Sequence, residues 1–405
     1  MTELHELFLK RLAQTSDAPI ALEISRAEGC WLVAADGRRY LDLIAGIGVS
    51  ALGHGHPNVI AAIEAQARRH LHVMVYGEYV IEAQVQLARR LTELLPTKLE
   101  RVYFTNSGAE AIEGTLKVAR KATGREAFAA FDGAYHGDTM GALALAGNPA
   151  FRAPFGNLPG PVRHLPFGDS AALDQIDSTI AAVVIEPVQA EGGVRIPAAS
   201  FMRSLRDRCD QVGALLVFDE VLTGFGRTGK LFALEHFGVV PDIIVMAKAL
   251  GGGMPLGAFC GSDDLIGTLS HDPPLGHLTT FGGHPLSCAA ALASLEVIVA
   301  DDLSARAAMI GADLARRLRE INAPEMTAIR AIGLLIGIEF AEAQFAHRFV
   351  AETISRGVIV NWTLNADKVV RLAPPLTIEA AEIDFAVARM IEALDATRQE
   401  RQVVR

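Results

Sequence analysis

The chain has 405 residues, 50% of them hydrophobic and 21% charged, which is enough for one large and one small lobe around an ample core. Its net charge of −10 excludes a general nucleic-acid binder, which needs a basic patch, but leaves room for a small anionic ligand held by a local field. Four scattered cysteines, Cys30, Cys209, Cys260 and Cys288, form no CxxC pair and no metal-ligand spacing, and read as free thiols in a reducing compartment.

The first residues, MTELHELFLKRLAQTSD, are acidic and helical in pattern, without the basic start and apolar core of a signal peptide. No apolar run reaches the length of a membrane span, so the expected location is the cytoplasm, with no membrane and no nucleic-acid partner. CWLVAADGRRYLDL gives two β-rich runs around the turn Asp36-Gly37. HPNVIAAIEAQARRHLH predicts a helix with Pro57 near its first turn. From about residue 100 the pattern alternates. VYFTNSGAEAIEGTLKVARKA is a strand followed by a helix, and EAFAAFDG is a second strand. AAVVIEP, ALLVFDE, DIIVMAK and GAFCG are short continuous apolar runs, as in strands buried on both faces of a parallel sheet covered by helices.

After Pro285 one long helical stretch is expected through ADLARRLREI, and then IRAIGLLIGIEF, GVIVNW and VVRLAPPL read as strands between helices. The fold class is therefore α/β, a doubly wound, mostly parallel sheet in a large domain with a smaller α+β domain. The expected division is residues 1–50 joining the small lobe, 51–300 forming the large lobe, and 301–405 forming the small C-terminal one.

In such sheets, ligands bind beyond the carboxyl ends of the strands. Asp219 closes ALLVFDE, Glu186 closes AAVVIEP and Lys248 closes DIIVMAK, each a charge where burial is costly unless compensated. A desolvated lysine has a lowered pKa and attacks aldehydes, whereas the competing assignment is an ion pair with Asp219 or Glu186. The run Ala249-Leu250-Gly251-Gly252-Gly253 would let a planar ligand approach the backbone. Asn106-Ser107-Gly108-Ala109-Glu110 lies where a strand turns into a helix. Free amides there make an anion site, although Ser107-x-x-Glu110 is also a capping box. Tyr135 follows another strand end and could stack on a ring or merely pack.

Together, a phosphate cradle, a stacking aromatic, a strand-end acid and a strand-end lysine are what pyridoxal 5′-phosphate (PLP) requires. Asp219 would keep the ring nitrogen protonated. Lys248 would form the Schiff base and then move a proton as general base and acid.

The motifs GIGVSALGHGHP, NSGAEAIEGTLKVAR, AYHGDT, VVIEPVQAEGG, FDEVLTGFGRTGKLFA, DIIVMAKALGGGMPLGAF, TTFGGHPLSCAAA and VVRLAPPLTI follow in that order from about Asp36 to Leu376. The chain thereby resembles the class III aminotransferases of PLP fold type I, in the subgroup of acetylornithine, ornithine and 4-aminobutyrate aminotransferases. The resemblance implies that Ser107, Gly108 and Ala109 hold the phosphate, that Tyr135 and Val221 flank the ring, and that Asp219 and Lys248 act as above. It implies that Thr280 reaches the phosphate of a neighbouring subunit, hence a homodimer. It also implies that Arg371 grips a substrate α-carboxylate and that Glu191 pairs with Arg371 until that carboxylate arrives.

Three positions depart from the pattern. Where relatives that bind a far carboxylate read HGRT, this chain reads His136-Gly137-Asp138-Thr139. Asp138 could attract a distal ammonium or cap the next segment. Leu222 replaces the usual glutamine of DEVQTG, and GGNP has become Gly282-Gly283-His284-Pro285, with His284 read as a structural residue. The implied activity is transfer of an amino group from a terminal-amine or amino-acid donor, a diamine or basic amino acid among them, to a 2-oxo acid such as 2-oxoglutarate, by a ping-pong cycle. The alternatives are a 7,8-diaminopelargonate-synthase-like transaminase, a PLP aminomutase, racemase or decarboxylase, and a non-catalytic binding protein.

Overall fold

A computed structural model describes residues 2–403. After an N-terminal helix, Glu3–Arg11, the strands β1 (Ile24–Glu28), β2 (Trp31–Ala34) and β3 (Arg39–Asp42) form an antiparallel meander. Seven strands then build the central sheet: β4 (Arg101–Thr105), β5 (Ala127–Phe131), β6 (Val162–Leu165), β7 (Ile180–Ile185), β8 (Leu215–Asp219), β9 (Ile243–Met246) and β10 (Gly257–Gly261). Their order is β4-β10-β9-β8-β7-β5-β6. All neighbours are parallel except β10, which runs antiparallel to both β4 and β9.

The continuous apolar runs have a direct cause. Along β7, Val183 and Ile185 enter one core, while Ala182 and Val184 enter a second core on the opposite face. Leu216 and Phe218 against Val217, and Ile244 and Met246 against Ile243 and Val245, divide in the same way. Both faces are covered, so alternation disappears from the sequence. The helix Gly108–Thr123 supplies Ala111, Ile112 and Ala119 to one face, and the helix Pro285–Ala300 supplies Cys288, Ala291 and Leu295 to the other. Each fully buried Leu, Ile or Phe contributes roughly 1.5–3 kcal/mol.

The small lobe contains β11 (Met326–Ile332), β12 (Leu335–Phe340), β13 (Val358–Ile359), β14 (Asn361–Thr363) and β15 (Ala366–Leu372). Four of them form an antiparallel sheet in the order β11-β12-β15-β14. β13 instead joins β3 in parallel, Val358 opposite Leu41, which ties the N-terminal meander to the C-terminal part of the chain.

Several local expectations change. The helical stretch after Pro285 is two helices, because Asp302 takes φ 44° and its carboxylate accepts the Ala305 N–H to start Leu303–Glu320. IRAIGLLIGIEF is a hairpin rather than one strand. It turns at Gly333, where φ is 53° and a β-carbon would lie 2.3 Å from the backbone of Thr228. The helix Glu82–Leu94, which buries Leu87 and Leu91 on one face, and strand β6 are not among the expected elements. No helix among the described residues is long and apolar enough to cross a membrane.

Candidate active site

The carboxyl ends of β5, β7, β8 and β9 open onto a cavity of about 670 Å³, bounded opposite by the start of the helix Gly108–Thr123. Ser107, Gly108, Ala109, Tyr135, Asp138, Glu191, Asp219, Val221 and Lys248 all line it. Arg371 stands behind Glu191, and Thr280 lies outside the cavity on an exposed segment.

At the helix start, Ser107 Oγ accepts the Glu110 N–H at 3.2 Å. The reciprocal bond of a capping box is displaced by one residue: Glu110 Oε2 accepts from Asn106 N and Nδ2, both at 2.8 Å. The N–H groups of Gly108 and Ala109 have no acceptor among the described residues, so two donors at the positive end of a 16-residue helix remain for an anion. The approach is tight. A β-carbon at Gly257 would sit 2.2 Å from Ser107 O, and one at Gly108 would sit 3.0 Å from Val221 Cγ2. Asn106 Nδ2 also donates to Thr279 Oγ1 at 3.0 Å, which moors the TTFGG segment beside this turn.

Asp219 ends β8 with its carboxylate buried. Its Oδ1 accepts the Val221 N–H at 3.0 Å, and its Oδ2 accepts from His136 Nδ1 at 2.7 Å. Burial pulls the His136 pKa down, but the bond and charge of Asp219 outweigh it, and the pKa lies above the ordinary value. A carboxylate has about four acceptor positions, so Asp219 retains capacity for a ring N–H. His136 was not singled out in the sequence, and its other nitrogen is buried without a partner. Tyr135 donates its hydroxyl to Asp138 Oδ2 at 2.9 Å. Burial first, and then Asp138, raise the Tyr135 pKa, so the phenol stays neutral.

Lys248 follows β9 with φ 48°, a left-handed conformation that aims it out of the strand direction. Its side chain makes no hydrogen bond or ion pair with any described residue, so the structural ion pair with Asp219 or Glu186 is not formed. Burial, and then the charge of Arg371, lower its pKa against the opposing fields of Glu191, Asp219 and Glu186. Glu186 instead accepts the N–H of Tyr135 at 3.2 Å and of Ala190 at 3.3 Å, and burial pushes its pKa up to about 8. The glycines after Lys248 differ from expectation. Gly252 meets the helix Pro285–Ala300, where a β-carbon would lie 2.9 Å from Ala290 O, and only Gly253 of the three lines the cavity.

Arg371 is fully buried on β15, and its Nη1 donates to Glu191 Oε1. Burial raises the Glu191 pKa, but the Arg371 charge wins and holds it below the usual carboxylate range. Two residues not anticipated from sequence hold Glu191 from the other side. Leu364 N donates to Glu191 Oε2 at 2.9 Å, and Asn365 N donates to Glu191 O at 2.9 Å. Asp138 does not cap the helix that follows it, since Glu113 Oε1 accepts the N–H groups of Gly141 and Ala142. Leu222 is buried against Gly48, and His284 Nδ1 caps the helix Pro285–Ala300 through Leu286 N.

Residues 12–394 match the family model "Aminotransferase class-III". The acetylornithine aminotransferase of Mycolicibacterium smegmatis is 44% identical over 382 residues, 94% of this chain and 95% of that one. The putrescine aminotransferase of Pectobacterium atrosepticum is 43% identical over 362 residues, 86% of this chain and 76% of that one. Among solved structures, an ornithine aminotransferase from Toxoplasma gondii with PLP at partial occupancy superposes with a TM-score of 0.91 at 30% identity, covering 99% of this chain and 96% of that one. A donor-rich helix start, an acid with spare acceptor capacity and an unpaired lysine around one cavity fit PLP. The chain belongs to the class III aminotransferases, PLP enzymes of fold type I that transfer an amino group to a 2-oxo acid.

Proposed function

We propose that the amino donor is a terminal primary amine whose chain carries a second cation, a diamine or a basic amino acid, and that the acceptor is 2-oxoglutarate or a similar 2-oxo acid. The supporting observation is the charge of the cavity. Asp138, Glu191 and Asp219 line it against one lysine, a fourth carboxyl, Glu186, is kept uncharged by burial, and Arg371 behind the wall is covered by Glu191. A free carboxylate meets repulsion there until Glu191 moves, and a dication is attracted. A relative named as a putrescine aminotransferase is consistent with this.

PLP supplies an electrophilic aldehyde and an electron-withdrawing ring. In this reading Gly108 and Ala109 N–H and Ser107 would bind the phosphate, Asp219 would hold the ring nitrogen with His136 orienting its carboxylate, and Tyr135 and Val221 would flank the ring. Lys248 Nζ would hold the aldehyde carbon, whose oxygen leaves as water. With its pKa lowered, a freed Lys248 would accept a proton from the amine-bearing carbon and return it. Asp138, with one oxygen on Tyr135, faces the far ammonium of the donor. Arg371 grips the acceptor's carboxylate in a two-pronged contact after Glu191 withdraws.

The cofactor lobe is assigned to residues 51–300, with 1–50 and 301–405 forming the smaller lobe. A homodimer is supported by two segments with exposed apolar side chains, one carrying Leu71, Tyr79 and Val80 and the other Leu275, Leu278 and Phe281, which meet where the His72 and Phe281 rings lie 4.9 Å apart. Thr280 in that patch would reach the partner's phosphate. Four buried free thiols suit the cytoplasm.

The test is a donor panel with 2-oxoglutarate, measuring glutamate formed. 1,4-Diaminobutane and L-ornithine should exceed 1-aminobutane in kcat/KM. Equal values for the monoamine would overturn the donor assignment.

A further inference from the structure

Glu191 is held from two sides, and the side away from Arg371 belongs to a turn of the small lobe. Residues 364 and 365 join β14 to β15, the strand that carries Arg371. Leu364 N–H binds Glu191 Oε2 at 2.9 Å, while Arg371 binds Oε1. Asn365 fixes the same turn by three further bonds. Its N–H donates to Glu191 O at 2.9 Å, and its Nδ2 donates to Gly133 O at 3.0 Å and Ala134 O at 3.2 Å. Gly133 and Ala134 immediately precede Tyr135. The turn therefore clasps both loops that carry the substrate-facing side chains.

We propose that the Leu364–Asn365 turn is a specificity-determining latch that holds Glu191 closed over Arg371. The inference rests on Glu191 acting as the gate. Its physical basis is that a carboxylate with both oxygens bound must break the Arg371 contact and either keep or break the Leu364 contact to withdraw. A rigid N–H on Oε2 fixes the carboxylate plane so that Oε1 points at Arg371. Without it, Glu191 gains rotamer freedom and leaves Arg371 more often. The latch thus sets how readily an α-carboxylate is admitted relative to a carboxylate-free amine. Leu364 and Asn365 touch neither substrate nor cofactor in this scheme, so they are positioning residues.

The test uses PLP-loaded full-length enzyme and two single-turnover half-reactions, one with L-glutamate and one with 1,4-diaminobutane, followed by loss of the cofactor's visible absorbance. Leu364→Pro removes the N–H on Oε2, and Leu364→Ala keeps it. Asn365→Ala removes the anchor of the turn while keeping its N–H, and covers the case in which the proline variant misfolds. A hydrogen bond to a charged group supports an expected rise of roughly tenfold or more in the glutamate-to-diamine ratio of kcat/KM for Leu364→Pro. Asn365→Ala should shift the ratio in the same direction, and Leu364→Ala should leave it unchanged. A merely structural role would lower both half-reactions together. If Glu191→Gln shifts the ratio but neither Asn365→Ala nor a folded Leu364→Pro does, the latch is refuted while the gate stands. If Glu191→Gln leaves the ratio unmoved, the gate reading fails and the latch with it.

Discussion

Asp138→Asn isolates the charge proposed to choose the donor. The side chain is exposed at the cavity wall, with one oxygen on the Tyr135 hydroxyl at 2.9 Å. Asparagine keeps the shape and an acceptor oxygen, so Tyr135 should stay in place and only the charge is lost. An ammonium about 4 Å from a carboxylate gains about 1 kcal/mol in water and about 4 kcal/mol at an effective dielectric near 20. Exposure places Asp138 towards the lower end, about 1–2 kcal/mol, which is roughly a 5- to 30-fold loss of kcat/KM for 1,4-diaminobutane. The loss should shrink as salt rises, because the Debye length is only about 8 Å at 0.15 M. 1-Aminobutane has no second charge and should be unaffected. Stopped-flow measurement of the donor half-reaction at two salt concentrations gives all four values. An equal fall for both amines would mean that Asp138 acts by positioning Tyr135, and no change for either would remove it from the site.

Other variants test the remaining machinery. Arg371→Ala should lower the 2-oxoglutarate half-reaction by about a hundredfold or more, through loss of a charged two-pronged contact, and leave the diamine half-reaction near wild type. Equal losses in both would contradict the division of labour. Lys248→Ala should retain PLP only by non-covalent contacts, so borohydride treatment followed by intact-mass measurement should show no cofactor fixed to protein, unlike wild type. Glu186 is a buried acid whose pKa rises from 4.5 to about 8. The folded state then binds more protons than the unfolded chain between those values, so this group stabilises at low pH. Its contribution is lost as pH climbs through the window, by up to about 1.4 kcal/mol per pH unit. Thermal midpoints of PLP-free Glu186→Gln should therefore fall less steeply than wild type from pH 5 to 8; parallel curves would count against a neutral Glu186.

Lys248, Asp219 and Ser107-Gly108 could be located from sequence because each is set by its immediate neighbours. A buried strand excludes charges, so the first charge after an apolar run marks the strand's end, and a Ser-x-x-Glu before a helical pattern marks the helix's start. The two faces of the sheet also wrote themselves into β7, β8 and β9 as runs without alternation. Arg371 and Glu191 came only through family resemblance, since nothing in their local sequence joins residues 180 positions apart. The same distance problem hid His136, which meets Asp219 across 83 positions, and Glu113, which took the capping role left open for Asp138.

The sequence by itself determined the α/β layering, the strand-end lysine and acid, and the anion-binding helix start, because local sterics, backbone hydrogen bonding and burial act over a few residues. Only the tertiary structure decided which charges are partnered. It left Lys248 without a direct ion pair among the described residues, bound Asp219 to His136, and closed Glu191 between Arg371 and the turn at 364–365. Those pairings depend on where distant loops meet once the two lobes pack, and no short stretch of sequence encodes that meeting.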